Sequence, residues 1–263
     1  MVKPSVSSSI DEQEQRIRDL INEPRTQYAL FKKGAFWQQL CSCLDIIGDT
    51  ELAIAAYPPK EVDRDKGLIY LAVYGLFQAL YLQQDAVFKL CEALEINSIR
   101  SQYPRLKEIR EIRNDCIGHP TKRDRKFIKT FHGISRITLS YKLFQLFTSD
   151  ETGKHDFKWI SIPDMITDQN RDISLILTSI IETLEQAAAS QKEQFNKEKL
   201  VDIFSPTLGY HLEKIFLYIS NKENAEYAAV NLKVVKEALE NFQSSLAKRG
   251  IELDTYDVIE DLY

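Results

Sequence analysis

Two residue types that could handle a phosphate ester lie close together near the middle of the chain. Arg113 and His119 are separated by five residues in the segment Arg-Asn-Asp-Cys-Ile-Gly-His. Histidine exchanges a proton near neutral pH, whereas arginine stays charged and binds a phosphate through two parallel hydrogen bonds. Cleavage of RNA without a metal needs a base for the 2′-hydroxyl proton and a group that stabilises the phosphorane charge. The pair could provide part of such a site.

The segment before this pair has the pattern of a helix, so the pair falls at a helix end. Pro104 is favoured in a first helical turn. Gly118 and Pro120 stop the helix and release His119 from helical geometry. The apolar side chains between these ends recur every three residues, at Leu106, Ile109 and Ile112.

An ordinary helix end is the alternative interpretation of the same residues. Arg113 would then pair with a carboxylate such as Glu108 or Glu111, and His119 would bond the last free carbonyls. Cations near a helix C-terminus are stabilised by the helix dipole, by about 0.3–1 kcal/mol, without any further role.

The arginine, the polar residue after it and the histidine at a helix end resemble the R-x(4–6)-H motif of the HEPN superfamily. Asn114 after the arginine and Pro120 after the histidine match the same pattern. The resemblance implies that Arg113 stabilises the phosphate and the transition state, and that His119 transfers protons. Asn114 would contact the phosphate or fix the orientation of His119. HEPN ribonucleases usually dimerise, with two Arg/His pairs facing one cleft, so a homodimer is implied too.

The resemblance further implies a metal-independent endoribonuclease with no cofactor that acts on RNA in toxin–antitoxin or antiviral defence, with an antitoxin protein as a partner. Many HEPN-like domains are non-catalytic, which supplies the second hypothesis. In it, the chain is a helical module that binds RNA, a nucleotide or a protein partner. The position of Arg113 and His119 in a dimer would distinguish the two hypotheses. The enzyme is favoured if both residues are open to solvent and line a shared cleft, and the module is favoured if Arg113 is held in a buried carboxylate pair.

Two further features bear on the site. Asp85 interrupts an apolar helical pattern, and it either holds Arg113 or His119 in place or forms a simple ion pair on a solvated face. A basic run follows His119, where clustered cations favour a phosphate backbone and a solvated turn is the other interpretation. The RNA-binding candidates in this run are Lys122, Arg123, Arg125 and Lys126.

The composition predicts a soluble protein rich in helix. The net charge is −5, hydrophobic residues make up 44% of the chain, and nine Gly and eight Pro are few for 263 residues. This charge argues against a protein coated in nucleic acid and leaves room for a local basic site. The Cys and His spacings match no metal pattern, and neither a signal-type segment nor a membrane span is evident. We therefore expect a cytoplasmic protein without a metal site.

The apolar spacing predicts a mainly α fold with a small antiparallel β insertion around residues 130–162. With the resemblance, the expected architecture is a HEPN-like helical bundle with additional flanking helices. Strands are expected at about 131–140, 141–148 and 157–162. The expected domains are an N-terminal helical segment (1–59), a HEPN-like core with the β insertion (60–200), and a C-terminal helical hairpin with an acidic tail (201–263).

The longest predicted helix covers about residues 65–94 and is apolar almost all round, so it should lie centrally in the bundle. A helix over about residues 26–47 is expected to stop at Gly48, and a short separate helix should follow. The tyrosines of the long helix are expected to be core or dimer contacts, and these are Tyr70, Tyr74 and Tyr81.

Overall fold

The computed structural model describes residues 9–23, 26, 37–58, 65–97, 100–125, 128–197, 200–219 and 225–249. The α-helices of this part of the chain are α1 (Ile10–Asn22), α2 (Trp37–Ala55), α3 (Lys66–Ala93), α4 (Pro104–Arg113), α5 (Ile162–Lys197), α6 (Leu208–Ile219) and α7 (Ala225–Lys248). The strands are β1 (Arg123–Arg125), β2 (Ile128–Ile134), β3 (Leu143–Asp150) and β4 (His155–Ser161). None of these helices is both long enough and apolar enough to cross a membrane.

The mainly α class with a small antiparallel sheet is confirmed. The sheet has four strands in the order β1-β2-β3-β4, each antiparallel to its neighbour. The strand expected at 131–140 ends at Ile134, because residues 135–142 form a turn in which Leu139 N–H donates to Ser135 O at 3.0 Å. The additional strand is β1, which occupies part of the basic run that follows His119.

The predicted end of a helix at Gly48 is wrong, because α2 continues through Gly48 to Ala55. Ile47, Thr50 and Ile54 are buried along one side of α2. Burial of this side outweighs the roughly 1 kcal/mol that a glycine costs inside a helix. The first part of the predicted helix, residues 27–36, lies outside the described residues.

Helix α3 is close to its predicted bounds, and the Asp65 side chain caps it by accepting a hydrogen bond from Gly67 N–H at 2.6 Å. Its buried side includes Val73, Phe77 and Leu80. Phe77 meets Phe144 of β3 edge to face, with ring centroids 6.0 Å apart. Apolar side chains of α4, β3 and β4 join the same core, among them Ile109, Ile112, Leu146 and Ile160. The sheet and α4 therefore both pack on α3, which positions the segment after α4.

The chain divides into two compact units, which differ from the three expected segments. One unit comprises residues 1–18 and 35–183, and the other comprises residues 19–34 and 184–263. The candidate catalytic residues, Arg113 and His119, lie in the first unit. In the second unit, Phe204 packs on Phe242 with ring centroids 4.9 Å apart, and His211 Nδ1 lies 2.8 Å from Asn231 Oδ1.

Candidate functional site

A π-helical turn, Asn114–Gly118, joins Arg113 at the end of α4 to His119. The backbone N–H of His119 donates to the Asn114 carbonyl at 2.8 Å, which closes this wide turn. Asp115 and Cys116 point into the protein, whereas His119 is exposed. Single π-helical turns occur frequently at functional sites. Here the turn places the two candidate catalytic residues at its opposite ends.

The Arg113 guanidinium is held by neutral groups. Nη2 donates to Gln78 Oε1 of α3 at 2.8 Å, and Nη1 donates to Asn114 Oδ1 at 3.1 Å. Its central carbon lies 4.4 Å from the ring centroid of Tyr81, also on α3, in a cation–π contact. Nε is buried and bonds no other described residue. Arg113 thus keeps its positive charge uncompensated by a carboxylate within the described part of the chain.

Gly118 lets the guanidinium approach the turn. A Cβ atom at this position would lie 3.0 Å from Arg113 Nη1 and 3.3 Å from Asn114 Oδ1. The first distance is shorter than an ordinary van der Waals contact. Arg113 therefore folds back against the residue directly before His119, and any larger residue at 118 has to displace it.

The carboxylates proposed for an ordinary helix end have other partners. Glu108 accepts hydrogen bonds from Lys158 Nζ at 2.6 Å and from Arg105 Nη1 at 2.8 Å, and these two bonds lower its pKa. Glu111 Oε2 accepts from Arg123 Nη2 at 2.6 Å. Neither carboxylate pairs with Arg113.

The His119 imidazole is exposed, and it forms no hydrogen bond or ion pair with a described residue. Asn114 was expected to contact a phosphate or to orient His119. Its side-chain oxygen binds Arg113, and only its backbone carbonyl binds His119. Any fixed position of the His119 ring therefore depends on the backbone of the turn.

Asp85 makes no direct contact with Arg113 or His119, and it forms ion pairs of the kind that the second interpretation describes. Its Oδ1 lies 3.1 Å from Arg100 Nη2 and 3.6 Å from Arg110 Nη2. The Asp85 side chain is 42% exposed, so its charge needs no buried partner.

We no longer propose Arg123 as an RNA-binding residue, because its guanidinium forms ion pairs with two carboxylates. Nη1 lies 2.6 Å from Asp115 Oδ1 and Nη2 lies 2.6 Å from Glu111 Oε2. Burial disfavours its charge, but these bonds and charges raise the pKa of Arg123 overall. Lys122 is exposed. For Arg125 only the backbone is described, opposite Ile128 of β2, and Lys126 lies outside the described residues.

Cys116, inside the π-helical turn, is a buried thiol. Burial and, to a smaller extent, the charge of Asp115 raise its pKa, so it stays protonated at neutral pH. Within the described residues, no group of His, Cys, Asp and Glu side chains has a geometry that could hold a metal ion.

Three residues of this arrangement were not assigned to it by sequence reasoning: Gln78, Tyr81 and Gly118. Gln78 and Tyr81 lie three residues apart on α3, so they share a helix face. Tyr81 was expected to be a core or dimer contact. Nothing in the spacing indicates that this face meets Arg113, because the crossing of α3 and α4 is a tertiary feature.

Comparison of the chain with protein-family models, with curated proteins and with solved structures gave no match.

Proposed function

We propose that the protein is a metal-independent endoribonuclease of HEPN type that cleaves RNA with Arg113 and His119. The observation that carries this proposal is the Arg113 guanidinium, which has no carboxylate partner among the described residues and rests against Gly118, beside the exposed His119. A positive charge and an imidazole that can transfer a proton are the minimum that phosphoryl transfer within RNA requires. The resemblance of the motif to HEPN ribonucleases supports the same assignment.

In the proposed reaction the 2′-oxygen of a ribose attacks the adjacent phosphorus. Neutral His119 takes the 2′-hydroxyl proton, and Arg113 stabilises the added negative charge on the phosphorane oxygens. The bond from phosphorus to the 5′-oxygen then breaks, and that oxygen takes a proton from a protonated histidine or from water. The products are a 2′,3′-cyclic phosphate and a 5′-hydroxyl end.

A homodimer is part of the proposal, because one Arg/His pair provides at most one proton-transfer group. An exposed stripe on α3 supports it, with Leu68 46%, Leu71 69% and Leu82 39% exposed and Gly75 between them. These positions recur at helical spacing, and Gln78, which holds Arg113, lies on the same stripe. A dimer through this stripe would bring two copies of the turn toward one another. We place the reaction in toxin–antitoxin or antiviral defence on the resemblance alone.

The proposal is tested by incubating the full chain with mixed-sequence RNA in EDTA and identifying the new ends. Wild type should cleave and leave cyclic phosphates, because the Arg/His mechanism needs no metal. His119→Ala should reduce the rate by roughly 10²–10⁴-fold, which is typical for loss of a general acid–base group. His155→Ala is the matched control, since His155 is exposed on β4, outside the π-helical turn. Activity that is lost in EDTA and returns with magnesium would contradict the proposed mechanism.

A non-catalytic module that binds a protein partner is the second candidate. The observation that favours it is the set of exposed apolar side chains on α6 and α7, among them Phe216 at 76%, Val230 at 65% and Tyr227 at 63%. Exposed apolar patches often mark interaction surfaces. If wild type binds no RNA, this candidate replaces the enzyme.

A further inference from the structure

We propose that His132 of β2 is a positioning residue for the turn that carries His119, an inference that rests on the function proposed above. The His132 side chain is 0% exposed. Its Nδ1 lies 3.0 Å from Thr148 Oγ1, and its Nε2 lies 2.9 Å from Thr130 Oγ1. The same Nε2 lies 3.4 Å from Oδ1 of Asp115, which is buried inside the π-helical turn.

The surrounding hydrogen bonds determine which nitrogen of His132 carries a proton. Thr130 donates its single hydroxyl hydrogen to the Arg123 carbonyl at 3.1 Å. With that hydrogen on the carbonyl, the Thr130 oxygen accepts from the imidazole, which assigns the proton to Nε2; the Asp115 carboxylate, 3.4 Å from Nε2, favours the same assignment. This N–H also faces the Asp115 carboxylate, which it stabilises electrostatically. His132 therefore contributes a fixed donor to the inner side of the turn.

The backbone of His132 holds the other end of the same segment. Its N–H donates to the Pro120 carbonyl at 2.7 Å. Asp115 and Pro120 lie on either side of residues 116–119, which include His119. One residue of β2 thus contacts the segment on both sides of the proposed catalytic histidine. From β1, Arg123 adds the 2.6 Å ion pair to Asp115, whose side chain is 8% exposed.

The chemistry of position 132 argues for a role beyond folding of the sheet. His132 lies opposite Thr148 in the β2–β3 pair. Thr148 is on the same face of the sheet as the buried Phe144 and Leu146, because alternate residues of a strand point to the same face. An apolar residue would fill this place without the cost of burying an imidazole. What the imidazole adds is its two hydrogen bonds, to Thr130 and Thr148, and the contact with Asp115. Because the His119 ring has no bond of its own to a described residue, this contact controls where the ring can lie.

The test compares His132→Leu with His132→Gln, whose side-chain amide can replace the Nε2 donor. Tyr57→Phe is the control, because it removes a 2.7 Å hydrogen bond to the Tyr141 carbonyl outside the turn. RNA cleavage is measured as separate kcat and KM values below the unfolding temperature of each variant. Exchange of the His119 amide hydrogen is followed by NMR, since this N–H closes the turn.

We expect His132→Leu to lower kcat by about 10²-fold with KM nearly unchanged, because misplacement by about 1 Å costs this much. His132→Gln should recover most of the loss. Exchange of the His119 amide should rise roughly tenfold in His132→Leu and stay unchanged in Tyr57→Phe. A folded His132→Leu protein with unchanged exchange, or with unchanged kcat, overturns the inference. If wild type does not cleave RNA but His119 exchange rises selectively, the proposed function fails while the positioning of the turn by His132 stands.

Discussion

Arg113 lies over the aromatic ring of Tyr81, with its guanidinium carbon 4.4 Å from the ring centroid. Arg110, one turn earlier on α4, lies over the same ring at 4.3 Å. Two like charges thus share one aromatic side chain of α3. Arg110 is balanced by Asp85, whereas the hydrogen-bond partners of Arg113, Gln78 and Asn114, are neutral. The ring holds the proposed catalytic cation in place while leaving its charge available.

Two replacements of Tyr81 distinguish the contribution of the aromatic ring from that of the hydroxyl group. Tyr81→Leu should lower RNA cleavage by about tenfold, because a cation–π contact contributes about 0.5–2 kcal/mol and Arg113 loses this support. Tyr81→Phe keeps the ring and should retain most of the activity. The measurement is kcat for both variants beside wild type, and equal activity of the Leu and Phe variants would contradict the role of the ring.

A methyl group at position 118 should displace Arg113. Gly118→Ala places a carbon 3.0 Å from Arg113 Nη1, so the flexible guanidinium has to move and cleavage should fall by tenfold or more, an effect on the order of 1.4 kcal/mol. Gly48→Ala in α2 is the control, because nothing lies within 4 Å of its added carbon. The control should stabilise the protein by about 0.5–1 kcal/mol and leave cleavage unchanged. Cleavage rates and thermal unfolding measure the two effects.

The basic run should divide into binding and structural residues. Replacing Lys122, Arg125 and Lys126 with Gln should weaken RNA binding, and the log–log salt slope should fall by about 0.7 for each lost phosphate contact. Arg123→Gln should instead destabilise the fold, by on the order of 3 kcal/mol, because it removes the 2.6 Å ion pair to the buried Asp115. Salt titrations of RNA binding and denaturant unfolding distinguish the two. If the Arg123→Gln variant folds with wild-type stability, Arg123 is an RNA-binding residue and not a structural one.

The exposed stripe of α3 should be the dimer surface. Leu71→Lys puts a charge at its most exposed leucine and should convert a dimer into monomers, with a parallel loss of RNA cleavage. Leu52→Lys is the matched control, because Leu52 of α2 is also exposed, at 73%, and does not belong to the stripe. Sedimentation measures the mass of each variant. A wild-type chain that stays monomeric at all concentrations argues against a shared cleft.

Glu51 should make stability depend on pH in a predictable direction. Burial raises its pKa, although the 3.0 Å hydrogen bond from Gln83 opposes this shift. A raised folded-state pKa means that its contribution to stability is complete below the ordinary carboxyl pKa and falls as the pH rises through the folded value. Glu51→Gln keeps an acceptor and removes the charge, so it should raise the melting temperature at pH 8 and leave it unchanged at pH 4. Glu182→Gln, at an exposed position of α5, should change neither value, and equal effects of both variants would contradict burial as the cause.

The apolar spacing was sufficient to predict most helices and their order. The long helix at 65–94 and the helix from Pro104 both lie near their predicted places. Local signals explain this success, because capping residues and the 3.6-residue period act within a few positions along the chain. The continuation of α2 through Gly48 was missed because contacts made by Ile47 and Ile54 outweigh the local preference of glycine.

The sequence by itself determined that an arginine and a histidine stand at a helix end, and that a basic run follows them. Only the tertiary structure decided the partners of these residues. Gln78 and Tyr81 approach Arg113 because α3 packs on α4, and His132 reaches Asp115 because the sheet folds back onto the turn. These contacts join residues 17 to 35 positions apart, which no local pattern specifies. Buried charges such as Arg123 and Asp115 must find partners wherever the fold provides them, so their roles follow from packing.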